Sequence, residues 1–251
     1  MVRTRDRNAL RNCILNAMSN ADLALLQPHL EAVPLKFRQR LQSSNRSIKN
    51  VYFPESGIAS ILAVGGGENR QAEVAVIGRE GMTGLPVVHG AGRSPCDVFI
   101  QVEGDGHCIT AQKLQEAIDQ SITLLRCFLR YAHAFGIQAN YTALANSRGC
   151  IAERLARCLL MARDRLDSDE MILTHDFIAL MLGVRRAGAS EALENLEKKG
   201  LVETARGSVT IMNRNGLEEC AKGLYGTPEG EHERLFGFAV GGDACAASSI
   251  P

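Results

Sequence analysis

The spacing of hydrophobic and polar residues divides the chain into four stretches. Residues 1–45 carry the spacing of short helices, and from about 46 to 110 apolar and polar residues alternate in short bursts separated by glycine-rich turns. Such alternation is typical of antiparallel strands in a small barrel or sandwich. From there to about residue 146 the hydrophobic period becomes helical. The pattern predicts an α+β fold with a β-rich domain in 1–111 and a long helix in 112–146.

The long helix carries a stripe of apolar residues that step by three or four positions. A helix of this length spans roughly 50 Å, which is more than one small barrel can cover. A coiled-coil-like seam between two copies of the chain would cover the part of the helix that the barrel leaves exposed. The alternative is a helix buried within its own chain. The residues assigned to the dimer interface are Leu125, Phe128, Ala132, Phe135 and Ala139.

Residues 147–220 have the layout of a winged helix-turn-helix. An amphipathic helix from Ile151 to Leu166 and a polar turn are followed by Thr174, which can cap a short helix that ends at Gly183. A second helix from about Arg186 to Lys199 precedes a two-stranded hairpin around Arg206. Residues 221–251 are polar and rich in glycine, and they are predicted to form a disordered tail.

In a winged helix-turn-helix, the second helix enters the DNA major groove with its N-terminal turns. Arginine offers two parallel donors to guanine or to a phosphate, and a hairpin tip is placed to meet phosphate. The alternative is a solvated helix end whose arginines pair with acidic residues. The candidate DNA-binding residues are Thr174, Arg185, Arg186, Ser190, Glu191 and Arg206.

The segments Ile151–Ala162 and Leu173–Arg186 resemble the CRP/FNR family of bacterial transcription regulators. The resemblance implies an N-terminal cyclic-nucleotide-binding-like β-roll that senses an effector, a dimerisation helix and a C-terminal DNA-binding domain. It also implies a homodimer that binds a palindromic operator in double-stranded DNA. RNA polymerase is a further expected partner if the protein activates transcription. Ala187 and Glu191 stand where the cyclic-AMP receptor reads bases with Glu and Arg, so a different target sequence is expected.

The same resemblance suggests a weak effector site at Gly84, Leu85, Arg93 and Ser94. Cyclic-nucleotide binders of the family grip the ribose with a glutamate at the position of Leu85, and a leucine cannot accept a hydrogen bond from a hydroxyl. Arg93-Ser94 matches the phosphate-binding pair of the family, although these residues also suit a simple polar turn before Pro95. We therefore do not expect cyclic AMP to be the effector.

Charge and cysteine content narrow the function further. The chain has 28 Lys and Arg against 28 Asp and Glu, which excludes a polyelectrolyte binder. Its eight cysteines form no Cys-x-x-Cys pair. An iron–sulfur cluster of the fumarate-nitrate regulator type requires four cysteine ligands clustered near the N-terminus, where this chain has only Cys13. A haem held by His89, His107 or His133 is disfavoured because lone histidines are more often structural.

The remaining expectations follow from motifs that the sequence lacks. It contains no nucleophile elbow, phosphate-binding loop or zinc-protease motif, so we predict no enzymatic activity, no cofactor and no metal. It has no apolar run of membrane-spanning length and no signal peptide, and the predicted location is the cytoplasm with reduced thiols. The alternative function is a sensor module of the same fold that acts through protein partners.

Overall fold

The structure, a computed structural model, describes residues 10–66 and 71–240. Two short helices open it, α1 (Cys13–Ala17) and α2 (Asn20–Leu26). Each begins at a side-chain cap, because Asn12 accepts a hydrogen bond from the Leu15 amide and Ser19 accepts one from the Asp22 amide. Side-chain caps of this kind satisfy free amides in the first turn of a helix.

The β-rich domain contains two antiparallel sheets. Its strands are β1 (Glu31–Leu35), β2 (Arg40–Gln42), β3 (Asn50–Pro54), β4 (Ile58–Val64), β5 (Gln71–Ile77), β6 (Cys96–Val102) and β7 (Gly104–Thr110), with α3 (Leu85–Val88) between β5 and β6. The sheet orders are β1-β7-β3 and β2-β6-β4-β5. Buried side chains such as Leu35, Ile77 and Ile100 pack in one apolar cluster. The predicted α+β fold is confirmed.

The long helical stretch is two helices and not one. The first, α4 (Ala111–Gln120), ends before Ser121, whose backbone is extended, and α5 (Ile122–Arg148) begins after it. Ser121 caps α5 by accepting a hydrogen bond from the Leu124 amide, and Asp22 of α2 accepts hydrogen bonds from Ser121 and Thr123. The prediction of one continuous helix was wrong because the apolar period continues across a capping serine. The 27 residues of α5 span about 40 Å.

Residues 147–220 fold as predicted in their helices and differ from the prediction in their sheet. It comprises α6 (Ile151–Arg163), β8 (Glu170–Ile172), α7 (His175–Leu182), α8 (Arg186–Lys198), β9 (Val202–Ala205), β10 (Ser208–Ile211) and α9 (Arg214–Cys220). Gly183 ends α7 in the left-handed conformation, at φ 60°, which suits glycine. The wing has three strands in the order β8-β10-β9, because Met171 pairs with Val209 inside the stretch that was predicted to be a polar turn.

The described part of the predicted disordered tail is folded. Helix α10 (Thr227–Phe236) packs against α5 and buries Pro228, His232 and Phe236. The His232 ring stacks on Phe236 with centroids 4.8 Å apart and also contacts Phe238. The prediction failed here because three spaced apolar and aromatic side chains suffice for a helix that docks on an existing core. Residues 241–251 lie outside the described residues.

Six described cysteines carry free thiols, namely Cys96, Cys108, Cys127, Cys150, Cys158 and Cys220. Cys13 is in a disulfide, so the expectation of reduced thiols does not hold at that position. In the described part of the chain, no helix combines the length and the apolar character that crossing a membrane requires.

Candidate nucleic-acid interface

Helix α8 presents one buried face and one exposed face. Its buried face consists of Ala189, Ala192, Leu193 and Leu196, which pack against α6 and α7. Arg185 precedes the helix with an extended backbone, and Arg186 is its first residue. Both arginines, together with Ala187 and Glu191, are exposed. The N-terminal turn of α8 is therefore the part of this helix that is open to a groove-sized partner.

Arg186 has an acidic neighbour that a phosphate or base could replace. Its Nε lies 3.4 Å from Asp176 Oδ1, and the two side chains are 68% and 72% exposed. An ion pair this exposed contributes little to stability. The pairing is the alternative that the sequence left open, and the exposure of both partners leaves Arg186 able to change partner.

Two predicted contact residues have structural partners. Thr174 caps α7 by accepting a hydrogen bond from the Phe177 amide at 3.2 Å, and the Ser190 hydroxyl lies 2.7 Å from His175 Nδ1. The second contact joins the start of α7 to the first turns of α8, so it helps to set the angle between the two helices. Sequence reasoning missed His175, although its place beside the predicted cap was a usable signal.

The wing is attached to α8 by a carboxylate. Glu197 accepts hydrogen bonds from the Thr204 amide at 2.9 Å and from the Thr204 hydroxyl at 2.7 Å, and these bonds lower the pKa of Glu197. Arg206 is exposed at the turn between β9 and β10, where Gly207 has φ 84°. The structure therefore brings Thr174, Arg186 and Ser190 together at one end of the helix pair and holds Arg206 on a separate element.

The four residues of the suggested effector site do not share one surface. Gly84 is left-handed at φ 76°, and a Cβ there would lie 2.6 Å from Val51 Cγ2. Leu85 is buried in the core that surrounds Phe128. Arg93 is exposed, and the Ser94 hydroxyl accepts a hydrogen bond from the Cys96 amide at 3.1 Å. The leucine thus belongs to the core, while the arginine and serine form a turn before β6.

One of the five residues assigned to the dimer interface lies in the core of this chain. Phe128 is fully buried, with its ring centroid 6.3 Å from that of Phe53. This corrects the expectation that Phe128 faces a second copy. The predicted residues Leu125, Ala132 and Phe135 are half-buried and pack against the same core. The stripe at three and four positions therefore combined a buried position with partly exposed ones.

The exposed apolar face of α5 follows a seven-residue period. Ile122 and Leu129 are 60% and 45% exposed, and Gly136 and Ala143 continue the same spacing. A Cβ at Gly136 would have no atom within 4 Å. The predicted residues Leu125, Ala132 and Ala139 each lie three positions after one of Ile122, Leu129 and Gly136. Together the two sets occupy the a and d positions of a heptad repeat. We call this seven-residue set the α5 seam.

Two carboxylates of the β-rich domain, Glu73 and Glu80, are buried. Glu80 Oε1 accepts a hydrogen bond from Arg165 Nε at 2.9 Å, and the side chains are 4% and 2% exposed. Glu73 on β5 accepts a hydrogen bond from the Ser60 hydroxyl. Burial raises the pKa of Glu73 to about 7, although Ser60, Arg157 and Arg165 oppose the shift. Sequence reasoning missed both sites because their partners are distant along the chain.

The raised pKa of Glu73 gives a prediction about stability. Between pH 4.5 and about 7 the folded chain holds a proton that the unfolded chain releases, so the free energy of unfolding falls as pH rises through this window. We expect Glu73→Gln to reduce that fall and to raise stability at pH 8 by about 1–3 kcal/mol. Urea denaturation at pH 5 and pH 8 measures it. Glu116→Gln, at an exposed carboxylate, is the control, and an unchanged pH dependence in Glu73→Gln contradicts the assignment.

The helices, wing and exposed arginines define a winged helix-turn-helix unit on a β-rich domain. Residues 153–220 match the sequence model of the Crp-like helix-turn-helix domain. No curated protein matches the chain by sequence.

Solved structures share the arrangement of most of the chain. A transcriptional regulator of the CRP/FNR family from Eubacterium rectale is 18% identical, covers 83% of this chain and 97% of its own, and has a TM-score of 0.66. FixK2 from Bradyrhizobium japonicum is 16% identical with coverages of 76% and 96% and a TM-score of 0.63. The c-di-GMP responsive regulator CLP from Xanthomonas campestris is 14% identical with coverages of 77% and 99% and a TM-score of 0.62. The chain has the fold of CRP/FNR transcription regulators, and the resemblance seen in its sequence is confirmed.

Proposed function

We propose that the protein is a homodimeric, sequence-specific DNA-binding transcription regulator. The observation that carries the proposal is the exposed N-terminal turn of α8, where Arg185 and Arg186 stand free of the core within a Crp-like unit. From residue 146 to 220 the chain has 11 Lys and Arg against 12 Asp and Glu, so a general basic attraction does not drive binding. Recognition rests on a few placed side chains and on dimer symmetry.

Dimerisation is proposed along the α5 seam. Its exposed leucine and isoleucine supply apolar area, and Gly136 lets two helices approach closely. A two-fold axis along this seam would present two copies of α8 to successive major grooves about 34 Å apart. The preferred target is therefore a palindromic site in double-stranded DNA. The protein would act in the cytoplasm. RNA polymerase would be a further partner if the protein activates transcription.

Selection of bound sequences from random double-stranded DNA tests the function directly. We expect an enriched site with two inverted half-sites about 10 base pairs apart between centres. Binding should weaken steeply as salt rises, because phosphate contacts release counterions. A chain that enriches no sequence and shows no salt-dependent gel shift would favour the alternative, a sensor module that acts through protein partners.

Replacing Arg186 with Ala should weaken binding to the selected site by about 1–3 kcal/mol, because a base or phosphate loses a charged donor. Fluorescence anisotropy at fixed salt measures the change. Arg234→Ala is the matched control, since Arg234 is also exposed and paired with a neighbouring carboxylate but lies on α10. Equal losses in both variants would mean that only net charge matters.

Cyclic AMP should leave the affinity for the selected site unchanged. The side chain at the position of the ribose-binding glutamate, Leu85, lies in the core, and Arg93 stands outside it. Isothermal calorimetry and anisotropy with added nucleotide measure binding and its effect. A saturable heat signal with a shift in DNA affinity would overturn this expectation.

A further inference from the structure

Two thiols share an open groove on the back of the Crp-like unit. Cys150 lies in the two-residue connection between α5 and α6, and Cys220 is the last residue of α9. The groove has a volume of about 440 Å³, and its lining includes both cysteines together with Lys199, Lys222 and Glu153. Neither thiol takes part in the proposed DNA contacts or in the α5 seam.

An ion pair holds the two cysteine-bearing segments together. Lys222 Nζ lies 2.6 Å from Glu153 Oε1, and Glu153 Oε2 accepts a hydrogen bond from the Cys150 amide at 3.0 Å. Cys220 is two residues before that lysine. Burial raises the pKa of Cys220, Lys199 and Lys222 oppose the shift, and the charge of Cys150 adds to it. The ion pair thus brings the segment that carries Cys220 beside the start of α6.

Cys150 is accessible to an oxidant. The residue is exposed at the N-terminus of a 13-residue helix, so a peroxide in solution can reach its sulfur. By contrast, burial raises the pKa of both Cys127 and Cys158 to about 12. Cys96 and Cys108 lie on strands of the β-rich domain. The groove therefore contains the exposed thiol with a second thiol beside it.

We propose that Cys150 and Cys220 form an oxidation site that closes to an intramolecular disulfide when the protein meets a hydroperoxide. The Cys150 thiolate attacks one oxygen of hydrogen peroxide, the O–O bond breaks, and the departing hydroxide takes up a proton to give water. The Cys220 thiolate then attacks the sulfur of the resulting sulfenic acid. The S–O bond breaks, and the second hydroxide is protonated to water. Two thiols lose two electrons, and the peroxide is reduced to two waters.

The position of Cys150 gives this bond a structural effect. Gly149 and Cys150 are the non-helical residues between α5 and α6, so they connect the Crp-like unit to α5. A disulfide to Cys220 would fix the second connecting residue to α9. Oxidation would thereby restrict the orientation of the unit that carries α8.

Peptide mapping of the full chain tests the site. The reduced protein is treated with hydrogen peroxide, alkylated, digested and analysed by mass spectrometry. We expect one chain to yield a peptide in which Cys150 is joined to Cys220, with both residues losing alkylation together. Cys150→Ser and Cys220→Ser should each abolish that peptide. Cys96→Ser is the matched control and should leave the linked peptide unchanged. Serine is chosen at position 150 because its hydroxyl keeps a polar atom at the N-cap of α6.

Three results would overturn the proposal. One is peroxide treatment that leaves Cys150 fully alkylatable. The second is a Cys150 that oxidises equally in the Cys220→Ser variant and never pairs with Cys220 in the parent chain. The third is a linkage that joins two chains, shown by a doubled mass under non-reducing conditions.

Discussion

Replacing Arg165 with Ala is expected to lower the free energy of unfolding by about 3–5 kcal/mol, because the substitution leaves a buried carboxylate without its cation. The Arg165 guanidinium also donates a hydrogen bond to the Met161 carbonyl at 2.8 Å, so a second polar group loses its partner. Chemical denaturation followed by circular dichroism measures the loss. The expected effect is among the largest for a single polar side chain in this protein.

The last residue of α6, two positions before Arg165, supplies a matched control. Arg163 pairs with Asp169, and the two side chains are 32% and 58% exposed. Arg163→Ala should cost no more than about 1 kcal/mol. A double variant, Glu80→Gln with Arg165→Met, should be less destabilised than Arg165→Ala because it removes the unpaired charge. If Arg165→Ala and Arg163→Ala cost the same, the buried pair does not stabilise the contact between the β-rich domain and the turn after α6.

The helix-turn-helix could be predicted because its signals are local. A threonine cap, a glycine after α7 and a glycine after α8 each act on residues within one helical turn, and the structure has all three where the pattern places them. Glu80 and Arg165 are 85 residues apart, and no local pattern shows that they meet. The same holds for Ser60 and Glu73, whose pairing depends on the register of two strands.

Two failures of prediction have physical causes that the structure makes plain. The break at Ser121 was hidden because apolar spacing persists on both sides, while Asp22 from α2 stabilises the break. Helix α10 was hidden by its glycine and glutamate content. It is stable because the existing surface of α5 and the ring of Phe238 cover its aromatic residues.

Adjacent residues on α5 separate folding from dimerisation. Phe128 is fully buried in the chain, and its neighbour Leu129 is exposed on the α5 seam. Phe128→Glu should destabilise the fold by more than about 4 kcal/mol, because it removes a large core side chain and buries a charge. Circular dichroism during thermal unfolding would then show a chain that is unfolded or melts far below the parent.

Leu129→Glu should leave the fold intact and break the dimer. Two copies of the new carboxylate would face each other across the two-fold seam, and we expect the dimer dissociation constant to rise by roughly 100-fold, which corresponds to about 3 kcal/mol. Light scattering at micromolar concentration measures the mass, and thermal unfolding checks that the monomer is folded. Arg130→Glu is the control, because Arg130 follows Leu129 directly and lies outside the a and d positions of the heptad. A Leu129→Glu variant that remains dimeric, or a Phe128→Glu variant that is a stable monomer, would place the interface on the face of α5 that the structure assigns to the core.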